Sequence, residues 1–199
     1  MASGERAEAQ KLSPGEISDA MYRVGWAARG LSVLDGGARS AIPQLTTFMI
    51  SDDSGTVRFT ADVLKGFGPD GARAIVVGLT NKDRGARLET AQALGDLGTN
   101  VFSVVPEIFQ SMDRLEEQAA ADCASAIEGS GAPIKTIMAG FIEKLHSTNA
   151  NCRMVSTWSL GRLGTNAVQA VTCLQELQSD PDKDVRIGAK KALIAIKRR

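Results

Sequence analysis

A chain of 199 residues is long enough to bury a core without disulfides or metals. Its 23 basic residues balance 23 acidic ones, which excludes a global field drawing it to nucleic acid or an anionic membrane; any such attraction must be local. Three cysteines without CxxC spacing exclude a closed disulfide framework and point to a reducing intracellular compartment, with the cytoplasm expected.

Apolar residues recur at three- and four-residue spacing and strand-like alternation is missing, so the chain is predicted all-α. No run approaches the roughly 18 apolar residues of a membrane span, and no apolar signal region stands at the N-terminus, so membrane insertion is not expected. Residues 1–12 are expected to form a flexible N-terminus. SPGE then sets Ser13 and Glu16 at capping-box spacing ahead of YRVGWAARGLSVLDGG, and residues 13–35 are predicted as a capping helix, half of a repeat.

From residue 36 onward the chain repeats itself. LGDLGTN (94–100) returns 66 positions later as LGRLGTN (160–166), and 66 is twice 33. Stepping by 33 from Leu94 and Leu160 finds Ile127 between them and Leu193 beyond; Leu64 lies 30 before Leu94, and Leu31 lies 33 before Leu64. Nineteen residues ahead of the last five anchors stand Leu45, Ile75, Ile108, Phe141 and Leu174. A constant offset inside a variable period describes a fixed two-helix unit, helix A then helix B, joined to the next by a loop that can shorten. The predicted units are 36–70, 71–100, 101–132, 133–166 and 167–199.

Pro43 and Pro106 sit near the start of A helices, where a missing N–H is tolerated. The turns SDDSG, NKDRG, STNAN and SDPDKD carry Asp, Asn and Ser to cap the following B helix. Gly68, Gly98, Gly131 and Gly164 are predicted to close the B helices in the left-handed conformation.

The B helices share V-R-x-x-A-A-x-A-L-G-x-I-G, fitted by ARLETAQALGDLG (86–98), by CRMVSTWSLGRLG (152–164) and, in its first half, by VRIGAKKALIAIK (185–197). With AIPQL-type A helices ahead of them, these stretches resemble HEAT repeats, most closely the short HEAT-like kind of phycobilisome lyase subunits. That resemblance covers residues 36–199 and implies a right-handed α-solenoid of five hairpins plus the half-repeat. It further implies A helices outside and B helices lining a concave surface that holds another macromolecule.

Asp83 and Arg87, Asn149 and Arg153, and Asp182 and Arg186 are each four apart, a partial Asp–Arg ladder like that of the family; it breaks at Asp53/Val57 and Glu116/Ala120. These arginines are predicted to tie the turns between A and B helices by charged hydrogen bonds. GFGPDG (66–71) matches the dinucleotide fingerprint in letters, but a helix precedes it and Pro69 removes an amide, so it is read as the connection between repeats. His146, the single histidine, is expected at the surface, and one histidine with no cysteine at ligand spacing makes no metal site. Cys123, Cys152 and Cys173 fall at core-facing positions and are expected to be inert. No G-x-S-x-G and no His-Glu dipeptide occurs, so neither a catalytic residue nor a cofactor is predicted.

If B helices line the concavity, its surface is what the apolar pattern leaves free. Two places before each anchor stand Arg29, Asp62, Gln92, Ser125, Trp158 and Lys191; two places after, Val33, Gly66, Asp96, Gly129, Arg162 and Ala195; five before, Trp26, Phe59, Glu89, Asp122, Val155 and Gly188. The partner-binding residues expected from these rows are Asp62, Glu89, Gln92, Asp96, Asp122, Ser125, Trp158, Arg162 and Lys191. Asp62, Glu89, Asp96 and Asp122 predict an acidic middle, and Arg162, Lys190, Lys191, Lys197, Arg198 and Arg199 a basic C-terminal end. Trp158 either fills the seam between the fourth and fifth repeats or serves as a binding hot spot; Trp26 and Phe59 are expected to pack together in the first stacking interface.

The expected function is a non-catalytic scaffold holding a peptide or a partner subunit of a larger assembly. The alternative is a lyase-like subunit attaching bilin chromophores or another HEAT-like enzyme accessory. A HEAT-like DNA glycosylase would need a basic groove, and the acidic middle argues against nucleic acid.

Overall fold

The computed structural model describes residues 37–197. Ser13, Trp26, Arg29, Leu31, Val33, the predicted half-repeat and the two terminal arginines lie outside the described residues. Ten α-helices follow in order: α1 (Ile42–Phe48), α2 (Ser54–Leu64), α3 (Gly68–Val76), α4 (Arg84–Gly95), α5 (Val105–Met112), α6 (Glu117–Gly129), α7 (Ile134–Lys144), α8 (Ala150–Leu163), α9 (Val171–Glu176) and α10 (Lys183–Lys197). Odd-numbered helices are the A helices and even-numbered ones the B helices. Among the described residues there is no strand.

The helices stack in single file. α2 packs on α4, α4 on α6, α6 on α8 and α8 on α10, while α1 packs on α3, α3 on α5 and α5 on α7. The protein is therefore an α-solenoid, in which each hairpin buries its apolar faces against the hairpins before and after it. The A-helix anchors Leu45, Ile75, Ile108, Phe141 and Leu174 and the B-helix anchors Leu64, Leu94, Ile127, Leu160 and Leu193 are all buried in one core. Phe109 meets Phe141 edge to face at 5.0 Å between ring centroids, joining α5 to α7.

Punctuation of the chain follows the local chemistry. Pro43, Pro69 and Pro106 occupy first-turn positions of α1, α3 and α5. Side-chain oxygens of Asp53, Asp83, Asn149 and Asp182 accept backbone N–H bonds from the first turns of α2, α4, α8 and α10. Four glycines have positive φ, Gly68 at 59°, Gly98 at 56°, Gly131 at 70° and Gly164 at 55°, each where a B helix gives way to the next repeat. Two of the three glycines of GFGPDG answer to a constraint, and each to a different one. Gly68 carries the positive φ, while a Cβ on Gly71 would stand 1.8 Å from the Leu64 carbonyl oxygen and a Cβ on Gly66 would meet nothing within 4 Å. The stretch runs from the end of α2 into α3, so it is a close helix-to-helix connection.

The arginine ladder ties the turns as expected, and the bonds are specific. Arg87 Nη1 donates to the carbonyls of Asn81 and Lys82, Arg153 Nη1 to those of Ser147 and Thr148, and Arg186 Nη1 to those of Asp180 and Pro181. The residue four before each arginine is the helix cap, and the carbonyls held lie five and six before it. At the two broken rungs a different side chain serves. Asn81 Nδ2 reaches back to the carbonyls of Met49 and Ser51 in the first turn, and Asn149 Nδ2 to those of Asp113 and Leu115 in the third. An asparagine of the following repeat thus satisfies turn carbonyls where the arginine is missing.

Candidate functional site

The stripe left free by the repeat pattern is exposed along the described solenoid. In the row two before each anchor, Asp62, Gln92, Ser125, Trp158 and Lys191 are all exposed. In the row two after, Gly66, Asp96, Gly129 and Arg162 are exposed and Ala195 is half-buried. These positions come from successive B helices stacked side by side, so they form a continuous band across five repeats.

The third row departs from expectation. Phe59 and Glu89 are half-buried, and Asp122, Val155 and Gly188 are buried. Asp122 is therefore not a surface carboxylate available to a partner. Its Oδ2 lies 2.9 Å from Arg87 Nε, with each side chain only 5% exposed, and Gln118 donates to its other oxygen. The row five before the anchor turns into the seam between B helices, and Asp122 is held there because Arg87, one repeat earlier, needs a counter-ion.

Four of the expected residues converge on one polar cleft. Asp62 and Lys65 at the end of α2 and Glu89, Gln92 and Asp96 of α4 and its C-terminus line a space of about 260 Å³, with Arg58 at its edge. Lys65 Nζ lies 2.7 Å from Asp62 Oδ1 and 3.2 Å from Asp96 Oδ2, bridging neighbouring repeats. Burial pushes the Lys65 ammonium toward its neutral form, but the bonds and charges of Asp62 and Asp96 outweigh it and hold its pKa above the usual lysine value. With three carboxylates against two cations, the cleft is only mildly acidic, and the acidic middle read from the sequence is weaker than expected because Asp122 is withdrawn and Lys65 intrudes.

Further along, Arg162 Nη2 sits 2.7 Å from Glu128 Oε2, again across a repeat boundary. Trp158, four residues before Arg162 on α8, is 40% exposed. It also closes part of the α8–α10 seam, since a Cβ on Gly188 would come within 3.3 Å of its indole nitrogen. Trp158 thus packs partly in the seam and partly faces solvent.

Two of the three cysteines are buried as protonated thiols. Burial pushes the Cys123 thiol up to about 12 and the Cys152 thiol up to about 11, so both stay protonated near neutral pH. Cys173, expected in the core, is half-buried near the start of α9. His146 is exposed. A second groove, absent from the sequence reading, encloses about 500 Å³ between α1 and α3 on the A-helix side, floored by Ile42, Pro43, Ala74 and Val77. Alternation at the surface of short A helices is too brief to announce such a groove. No described helix is long and apolar enough to cross a membrane.

No family model matches the chain, and no curated protein does. Among solved structures the fold is similar to a designed armadillo repeat protein in complex with the peptide (KR)4, at 13% identity over 94% of this chain and 95% of that one, with a TM-score of 0.44. It is similar to an engineered protein at 19% identity over 94% and 93% of the two chains, with a TM-score of 0.44. It is also similar to computationally designed armadillo repeat proteins for modular peptide recognition, at 12% identity over 92% and 94%, with a TM-score of 0.42.

Proposed function

We propose that the protein is a non-catalytic, HEAT-like scaffold of a reducing intracellular compartment, whose B-helix band holds an extended peptide or a partner subunit. The observation that carries this reading is the exposure of the two rows around the B-helix anchors, complete but for the half-buried Ala195. Repetition keeps the anchor leucines and isoleucines inside, while the same two positions run through Asp62, Gln92, Ser125, Trp158 and Lys191 and through Asp96 and Arg162, all facing solvent. A surface that varies residue by residue on an invariant frame suits recognition of an extended ligand, one contact per repeat. Trp158 supplies a rigid apolar anchor, and Asp62, Glu89, Gln92 and Asp96 supply polar contacts that orient what docks.

Peptides selected from a displayed library on the wild-type protein test this reading. Trp158→Ala, and separately Asp62→Lys with Asp96→Lys, are expected to weaken the selected peptide about tenfold or more; because Trp158 also packs in the α8–α10 seam and both aspartates pair with Lys65, melting temperatures should fall modestly while the helical signal at the assay temperature stays that of wild type. Full affinity in both variants would refute the band as the binding surface. Asp122 is excluded from such variants, since its replacement would strand the buried Arg87 charge.

A further inference from the structure

Among the described residues, α10 leaves open a face that the preceding B helix, α8, buries. Met154, Thr157 and Gly161 of α8 lie 33 residues before Ile187, Lys190 and Ile194 of α10. On α8 that face is closed by α10: Met154 is 5% exposed, Thr157 is fully buried, and a Cβ on Gly161 would lie 3.2 Å from Ala192 Cα. On α10 the same face is open among the described residues, with Ile187 38% and Ile194 57% exposed. The two isoleucines are seven apart and so lie two turns apart on one side of the helix.

What surrounds them selects the occupant. Lys190 and Lys197 flank the isoleucine line on one side and Lys191 on the other, all exposed. None of the three joins a salt bridge among the described residues. Where α8 offers Thr157 and Gly161, which admit the small residues Gly188 and Ala192 of α10 at close range, α10 offers a lysine and an isoleucine, which hold a neighbour farther off and favour negative charge on it. A phosphate backbone would answer the lysines but leave the isoleucines wet. A helix with aliphatic residues along one line and carboxylates on both shoulders answers both.

We propose that the open face of α10 is a second docking surface, adjoining the B-helix band at Lys191, for an acidic amphipathic helix of a partner protein. The test uses the full chain and three fluorescent probes. One is a helical peptide of about 15 residues with leucines along one line and glutamates flanking them; the second has lysines in place of the glutamates; the third is a single-stranded oligonucleotide. The glutamate peptide is expected to bind with roughly micromolar affinity, and binding is expected to fall about tenfold or more in Ile194→Glu, in Lys190→Glu and at raised salt. Both side chains are exposed, so an unchanged melting temperature separates lost binding from lost folding. Amide resonances that move should belong to α10. Absence of binding, equal binding of the two peptides, preference for the oligonucleotide, or resonance shifts confined to Asp62 and Asp96 would each overturn the proposal. None of those results touches the library peptide's dependence on Trp158, so the two readings fail separately.

Discussion

At the scale of single residues, one buried ion pair does two jobs. Arg87 is 4% exposed; its Nη1 holds two carbonyls of its own turn and its Nε holds Asp122 on the next B helix. Arg87→Ala would remove three bonds and leave a carboxylate buried without its cation, which costs about 3–5 kcal/mol. Chemical denaturation should show that loss directly, and a melting temperature equal to wild type would contradict the assignment. Asp113 and Asp180 set the response to acid. Burial pushes each carboxyl up, but bonds from Lys144 and Ser147 to Asp113, and from Arg153 and the Asp182 N–H to Asp180, outweigh it and hold both below the usual carboxylate range. A carboxylate held lower in the folded than in the unfolded state adds stability that is complete above its unfolded pKa, and the contribution disappears as the pH drops through the folded one. The melting temperature should therefore change little between about pH 7 and 5 and fall below about pH 4. Asp180→Asn should lower it at neutral pH and flatten the acid slope; an unaltered slope would assign the acid transition to other groups.

At the scale of elements, the connection between α2 and α3 depends on one close approach. Gly71→Ala would drive its Cβ into the Leu64 carbonyl, which belongs to backbone and cannot rotate away, so a loss of about 1–3 kcal/mol is expected. Gly66→Ala, five residues earlier in an open position, should change stability by less than about 0.5 kcal/mol. Equal losses in the two variants, measured by denaturant titration, would show that the turn and not the contact is limiting. This stretch also marks what the chain discloses by itself. Helix starts at Pro43 and Pro106 and helix ends at Gly68, Gly98, Gly131 and Gly164 were legible because each rests on the conformation of one or two adjacent residues. The anchors were legible because burial repeats with the period. Asp122 was not, since its burial is dictated by Arg87, 35 residues away, and neither lies at a spacing that marks the pair. The asparagine substitutes at the broken rungs escaped for the same reason: Asn81 reaches 30 and 32 residues back. Of the candidate band, its two exposed rows could be written down from the period, while Lys65, which blunts the acidity of the cleft, lies between them, one residue after the Leu64 anchor.

At the scale of the whole molecule, single-file stacking makes stability a sum of hairpins and the seams between neighbours, so damage at one seam should stay local. The α8–α10 seam offers a clean place to ask this. A Cβ on Gly188 would lie 2.1 Å from Thr157 Oγ1, and that hydroxyl is already committed to the Met154 carbonyl. Gly188→Val adds a branched side chain to that contact and should wedge α10 away from α8. Because α9 packs chiefly on α10 and on the segment Gly164–Ala170, the last hairpin should loosen as a unit. Amide exchange should quicken throughout α9 and α10 while α2, α4 and α6 keep wild-type protection, and denaturation should acquire an early phase carrying only that hairpin's helical signal. Uniformly faster exchange along the chain would mean that the five repeats unfold as one cooperative body, with coupling across seams stronger than the hairpins themselves. Local loosening would mean instead that each repeat holds its part of the band independently, so that substitutions at Trp158 and at Asp62 act on a ligand through separate rigid supports.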